Sequence, residues 1–292
     1  MSKHPSVYET VTNSIIEELK HNVVPWVRPW KSASAFPYNA VSQRHYSGVN
    51  VLLLWATARE REYTNPAWLT FKQAEELGGT VMKGEKAAAI VYAATLRKTE
   101  TNSAGEEIKK DLSFLKFYYV FNLQQTSGLP EHLYVIPEPK PLGQRLFHVE
   151  AFIRGIGAEV RHGGDKAYYS PLEDVIALPR MEDFDSLGHY YATSLHEHVH
   201  LSGHPTRLNR DFTGRFDSRS YAAEELVAEL GAAFLCSFLQ INAELRHASY
   251  ISWWLELLEN DTKAIFTAAS HATKAADFLR SFSLPSSTAA VS

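Results

Sequence analysis

Residues 194–204 read SLHEHVHLSGH, with four histidines and one glutamate in eleven positions. Residues four apart on a helix lie on one face. His196 and His200 therefore point the same way, with Glu197 directly after the first. This is the H-E-x-x-H pattern: two imidazoles offer nitrogen ligands to Zn²⁺, and the adjacent carboxylate reaches a water as general base. Tyr191, Ala192, Leu195 and Val199 give the segment an apolar back, as a buried active-site helix requires. The competing reading, a surface helix with incidental histidines, draws on the chain's 13 histidines. His198 lies about 160° around the helix from each of the pair, which keeps it out of a shared ligand set. His204 follows Gly203, a helix C-cap candidate, and precedes Pro205. Two roles stay open for it: a supporting or oxyanion-stabilising group beside the site, or a structural loop residue.

A catalytic zinc takes three protein ligands and keeps a fourth position open. An extended histidine pattern would need histidine at 206, which is Thr206. The alternative is a carboxylate on a later helix, and SYAAEELVAELGAAF (220–234) supplies Glu224, Glu225 and Glu229. We expect Glu225 as third ligand, and Glu229, one turn on, as acceptor of the second N–H of a ligand histidine. Glu224 lies about 100° around the helix from Glu225 and is left without a role. A solvated acidic face is disfavoured because Leu226, Val227, Leu230 and Ala233 occupy much of the same helix. Zinc suits this donor set best, with Mn²⁺ or Co²⁺ as alternative occupants. Upstream, AYYSPLEDVIALP (167–179) reads as two short strands about Ser170-Pro171. An edge strand beside a metallopeptidase site pairs with extended substrate, which leaves Tyr168 and Tyr169 between cleft lining and core.

Working outward, the motif sits in a mainly helical region, 145–282. Helices are expected over LFHVEAFIRGIGAEV (146–160), 185–202, 219–240, 243–258 and 261–280. The segment 126–144, with Pro130, Pro137, Pro139 and Pro141, reads as a semi-rigid linker. The last residues, 283–292, read as a flexible tail. Residues 1–125 differ in character. A helix over 7–19 is followed by VVPWVRPWK, then a mostly buried helix over 48–61. A short helix capped by Thr70 and two strands, AAAIVYAATLRK and LSFLKFYYVFN, complete an α+β unit.

The halves also differ in charge. Residues 1–145 hold 17 basic and 14 acidic side chains, and 146–292 hold 12 and 19. Two modules with different partners fit that asymmetry. The single cysteine, Cys236 in GAAFLCSFL, excludes an internal disulfide and reads as a buried thiol in a reducing, cytoplasmic setting. No apolar leader or membrane span is evident in the sequence.

The first half interleaves rings and cations. Trp26, Arg28, Trp30 and Lys31 stand close together, followed by Arg44, Tyr46, Asn50, Trp68, Lys72, Gln73, Lys83 and Lys86. Stacking platforms beside cations suit single-stranded nucleic acid. An aromatic core with a solvated basic rim accounts for the same residues, and both readings stand.

Taken together, the chain resembles the ArdC family of plasmid antirestriction proteins, and its first half is similar to the amino-terminal region of TraC-type plasmid primases. The strings that carry this are IIEELKHNVVPWVRPWK, PYNAVSQRHYSGVNVLLLW, WLTFKQAEELGGTVMKGEK, YYVFNLQQTSGL, AYYSPLEDVIALP, HEHVHLSGHPTRLNRDF and YAAEELVAELGAAFLC. They cover roughly residues 5–280 in order. The resemblance implies two domains, a single-stranded-DNA-binding α+β domain and a mainly helical, zincin-like metallopeptidase domain with a small β-sheet. It implies His196, His200 and Glu225 as ligands and Glu197 as catalytic glutamate, in a protein that guards conjugating plasmid DNA against restriction. The partners would be single-stranded DNA and a protein substrate or restriction component that the sequence does not name. Two other functions fit the same features: DNA shielding with a structural or vestigial metal site, and a DNA-activated protease acting on DNA-bound proteins. This chain has Glu-His-Val between the ligand histidines where the family commonly has Glu-Leu-Val. Its SQRHY departs from a common Thr-Gly-x-x-Tyr, which touches the DNA-contact details.

Overall fold

The computed structural model describes residues 5–26, 36–101, 107–136, 141–210, 219–241 and 250–282. Arg28, Trp30, Lys31, the expected tail and the start of the expected 243–258 helix lie outside them. Helix α1 (Val7–Lys20) opens on a capping box, in which Ser6 and Glu9 each satisfy the other's backbone N–H. Strand β1 (Tyr38–Asn39), helix α2 (Val49–Glu60) and strand β2 (Ala67–Leu69) follow. Helix α3 (Phe71–Glu76) is capped by Thr70 as its sequence predicts, with Gln73 completing the box. After β3 (Thr80–Val81), strands β4 (Ala88–Thr101) and β5 (Glu107–Asn122) form a long antiparallel hairpin. These strands give a sheet of order β1-β2-β5-β4.

The proline-rich segment starts as part of this fold. Strand β6 (Thr126–Ser127) pairs with β3, and Leu129, Leu133 and Tyr134 pack with Ala67, Leu69 and Leu123. Helix α4 (Leu142–Ile156) is as long as the sequence reading of 146–160 but begins and ends four residues earlier. Gly157, at φ 73°, ends it in the left-handed region, where glycine carries no Cβ penalty. The last expected helical residues instead enter β7 (Glu159–His162). The expected hairpin is present as β8 (Tyr168–Ser170) and β9 (Val175–Leu178), in a sheet of order β7-β9-β8 with β8 at one edge.

Helices α5 (Leu187–Ser202), α6 (Arg219–Phe238), α7 (Ile251–Asn260) and α8 (Ala264–Ser281) complete the chain. The chain is α+β in class, and its largest core crosses both halves. Val11, Ile15, Trp26 and Trp55 share one apolar cluster with Leu195, Phe234, Trp254 and Ala268. Trp26 meets Trp254 edge-to-face at 5.3 Å, and the Thr12 hydroxyl donates to the Thr262 carbonyl at 2.6 Å. Burial of this size is the main favourable term in folding, so α1 and α2 are anchored on the C-terminal helices. Cys236 is buried, as expected. At Gly231 helix α6 comes close to α5. A Cβ there would stand 2.8 Å from Val199 Cγ2, so glycine sets the spacing of the two helices that carry the site.

Candidate metal centre

Helix α5 begins at Ser186, whose hydroxyl accepts the His189 N–H. It is buried on several sides: Leu195, His198 and Val199 have no exposed surface. Four-residue spacing brings the His196 and His200 rings to 4.8 Å, with their Nε2 atoms 3.1 Å apart. Across the gap, α6 presents Glu225, with oxygens 3.4 Å from His196 Nε2 and 3.6 Å from His200 Nε2. One ligand atom from each of the three lies within 4.8 Å of the others. Ligands about 2.0–2.1 Å from a tetrahedral ion stand about 3.3 Å from each other. The observed separations therefore fit a small divalent cation without rearrangement of the helices.

The outer nitrogens are also engaged. His196 Nδ1 faces Glu229 at 3.5 Å, and His200 Nδ1 donates to Glu224 at 3.2 Å. Such carboxylates fix imidazole orientation and leave Nε2 to the metal. Burial opposes charge on His196, yet its hydrogen bonds to Glu225 and Glu229 hold its pKa well above the usual histidine range. Burial alone would raise the Glu225 and Glu224 carboxyls. Bonds to His196 for the first, and to His200 and Arg210 for the second, bring both below the ordinary carboxylate value.

Glu197 is buried beside the ligands, and burial raises its pKa while the backbone of Tyr169 on β8 hydrogen-bonds it. A carboxyl raised above its ordinary pKa next to two inward-facing imidazoles suits proton transfer. Strand β8 thus ties the catalytic candidate to the sheet edge. Tyr169 is buried and Tyr168 exposed, so the pair divides between core and surface.

Glu224 and Arg210 were not legible as site residues. Arg210 donates to Glu224, to Ser202 Oγ at 2.9 Å and to the Val199 carbonyl at 2.6 Å. It pins α5 and α6 together behind His200. Two neighbouring glutamates both serve the site because α6 crosses α5 closely: Glu225 meets the inner nitrogen of His200 and Glu224 the outer one. Tyr221 was also missed; its hydroxyl hydrogen-bonds Glu225 and Tyr250.

His198 stands apart from the ligands, as expected. It is fully buried, its Nδ1 donates to the Ser194 carbonyl at 2.7 Å, and burial lowers its pKa to about 4. His204 bonds within its own loop, to Thr206 at 2.8 Å.

The nucleic-acid candidates scatter. Trp26 and Trp68 are core residues, so neither offers a ring face to a base; the aromatic-core reading holds for both. Lys72 pairs with Glu76 at 3.4 Å on the surface of α3. Lys83 and Lys86 are exposed in the connection between β3 and β4. Arg44, Tyr46, Asn50 and Gln73 do gather, around one cavity of about 360 Å³.

Comparison with known proteins places this geometry in context. Residues 5–121 match the N-terminal domain of anti-restriction factor ArdC, and 147–271 match a zincin-like metallopeptidase domain. An uncharacterised protein of Sinorhizobium fredii, y4eC, is 38% identical, with 94% of this chain and 91% of that protein covered. A DNA primase TraC of Escherichia coli is 34% identical over 94% of this chain, which spans 27% of the primase. Crystal structures of antirestriction ArdC from plasmid R388 superpose on 94% of this chain and 97% of theirs when metal-free (TM-score 0.80, 37% identity). The Mn(II)-bound form covers 97% and 100% (0.79, 36%).

Proposed function

The chain belongs to the ArdC antirestriction family, and from that premise we propose that it binds single-stranded DNA and carries a divalent-metal peptidase site that together shield incoming conjugative plasmid DNA from restriction. The observation that carries the proposal is the convergence of His196 Nε2, His200 Nε2 and Glu225 with Glu197 alongside. The donor set is the His₂Glu type that suits zinc; the Mn(II)-bound R388 relative supports a divalent cation at large. A bound cation supplies Lewis acidity, polarising a peptide carbonyl and making water easier to deprotonate.

The chain's own residues do the rest. Glu229 and Glu224 hold the two imidazoles so that both Nε2 atoms face inward. Glu197, raised in pKa by burial, accepts a proton from water in the site and returns it to the leaving amine. Strand β8, outermost in its sheet among the described residues and exposed at Tyr168, offers backbone groups to an extended peptide. The DNA-binding function falls to residues 1–125, joined by 126–144 to a peptidase-like region over 145–282. The setting is a cytoplasm receiving plasmid DNA. Among the described residues no helix is long and apolar enough to cross a membrane.

Glu197→Gln tests the chemistry. The variant should bind metal as the wild type does. It should lose cleavage of the protein itself and of an unfolded casein substrate, assayed with and without single-stranded DNA. Protection of unmodified DNA entering a restricting host is scored in parallel. Full protection by Glu197→Gln would replace the peptidase reading with DNA shielding around a structural metal. Cleavage by the wild type only when single-stranded DNA is present would favour the DNA-activated protease.

A further inference from the structure

We propose that the cavity between the 39–46 loop, the start of α3 and the base of the β4–β5 hairpin seats one unstacked nucleotide of single-stranded DNA. This rests on the DNA-binding reading above and gives it a place. The cavity measures about 360 Å³ and is lined in part by Asn39, Arg44, Tyr46, Gln73, Tyr92 and Tyr118, a size at the lower end of small-ligand sites.

Three features select the occupant. The first is aromatic. Tyr92 and Tyr118 are 58% and 50% exposed, with ring centroids 5.4 Å apart. They are diagonal neighbours, because Ile90 pairs with Tyr118 and Tyr92 with Lys116, so both rings stand on one face of the hairpin. Large aromatics held in water on a sheet face find no partner within the protein's own core. They form a platform of the kind on which bases stack. Lys116 and Phe114 continue that face, with the Lys116 Nζ 5.1 Å from the Phe114 ring centroid.

The second is a set of fixed amides. Gln73 Oε1 accepts the Thr70 N–H at 2.9 Å and Asn39 Nδ2 at 3.0 Å. Asn50, also on the lining, accepts the Val91 N–H at 2.7 Å and donates to the Val91 carbonyl at 2.9 Å. These bonds decide which end of each carboxamide is nitrogen, and an amide NH₂ carries a second proton. Asn50 is thereby left with a donor beyond the one that Val91 uses. Polar groups already held in place lose little freedom when they meet a base edge.

The third is charge. Among the described residues the lining holds Arg44 and His45 and no aspartate or glutamate. Arg44 is exposed, and its guanidinium makes no hydrogen bond or ion pair among the described residues. A free guanidinium at the rim of an acid-free pocket favours a phosphate. Rings, amides and one cation together describe a nucleotide rather than a metal, a lipid or a peptide carboxylate. A paired duplex cannot present a base to this pocket without unpairing it.

The test uses the full chain and a fluorescein-labelled oligothymidylate, followed by anisotropy at low salt. Tyr92→Ala and Tyr118→Ala should each weaken binding about 5- to 150-fold, the range that loss of one stacked base gives. Tyr92→Phe and Tyr118→Phe should retain wild-type affinity. Arg44→Ala should reduce the slope of log affinity against log salt by about 0.7, as loss of one phosphate contact on a single strand does. All three side chains are exposed, and thermal melts verify that the variants fold. If the alanine variants bind as tightly as the wild type, the pocket is not the seat, while the DNA-binding reading survives. If the wild type itself fails to bind at low salt, both fall.

Discussion

Replacing Gly231 by alanine tests how the two site helices are held. Gly231 on α6 faces Val199 on α5, and an added Cβ would stand 2.8, 2.9 and 3.4 Å from Val199 Cγ2, Cγ1 and Cβ. Two of these are inside any normal carbon–carbon contact. Val199 has no exposed surface, and a valine on a helix is confined to one dominant χ1 rotamer. Rotation therefore brings no relief, and the helices must part. With two contacts under 3.0 Å, the cost lies in the upper part of the overpacking range, about 2–3 kcal/mol. Alanine in a helix interior returns about 1 kcal/mol relative to glycine. The clash should win by about 1–2 kcal/mol, which for a chain of this size lowers Tm by about 2–8 °C.

Function should suffer as well, because Val199 adjoins His200 and the parting separates α5 ligands from Glu225. Val199→Ala alone removes two buried methyl-sized groups, for about 2 kcal/mol with its cavity. In the double variant the new methyl enters the space the valine leaves. Its loss should be smaller than the sum of the singles by at least about 1 kcal/mol. Denaturant midpoints for the four proteins, with zinc competition titrations alongside, measure both effects. A Gly231→Ala protein as stable as the wild type, or strictly additive losses, would refute the close-approach argument.

Further outcomes follow from the charges. Arg210→Met strands the Glu224 carboxylate in a buried site and should cost about 3–5 kcal/mol in urea unfolding, with Glu224→Gln in the same chain recovering much of it. Asp174 is held to a pKa of about 2, below its ordinary 3.8, chiefly by its hydrogen bonds with Arg207. A depressed carboxyl pKa stabilises the fold above the ordinary value and stops doing so as pH falls through the lower one. Wild-type stability should therefore drop between these two values, and Arg207→Met should flatten that part of a pH–stability profile. The partly exposed pair is screened by solvent, so the difference at neutral pH should be small.

The helix pattern and the H-E-x-x-H spacing were legible because both are local: i, i+4 geometry follows from the sequence alone. Glu225 and Glu229 were reachable because one helix with three glutamates and few polar faces leaves little choice. Glu224 was not, since its use depends on how closely α6 crosses α5, and that distance is set by Gly231 and Val199 from different segments. Arg210 lay beyond reach for the same reason; nothing local marks a loop arginine as a buried partner. In the first half, composition drew attention to tryptophans, yet Trp26 and Trp68 serve the core. The exposed rings are Tyr92 and Tyr118, whose strand register decides the face they occupy. The end of α4 was overextended because apolar spacing continued past Gly157, whose positive φ breaks the helix.

The central claim is that His196, His200 and Glu225 hold one divalent cation, with Glu197 beside it. Zinc titration in competition with a chromophoric chelator, run on the wild type, Glu225→Ala and Glu197→Gln, tests it directly. The account expects one zinc per chain in the wild type and in Glu197→Gln, with affinity lost by well over tenfold in Glu225→Ala. Undiminished zinc binding by Glu225→Ala would contradict it.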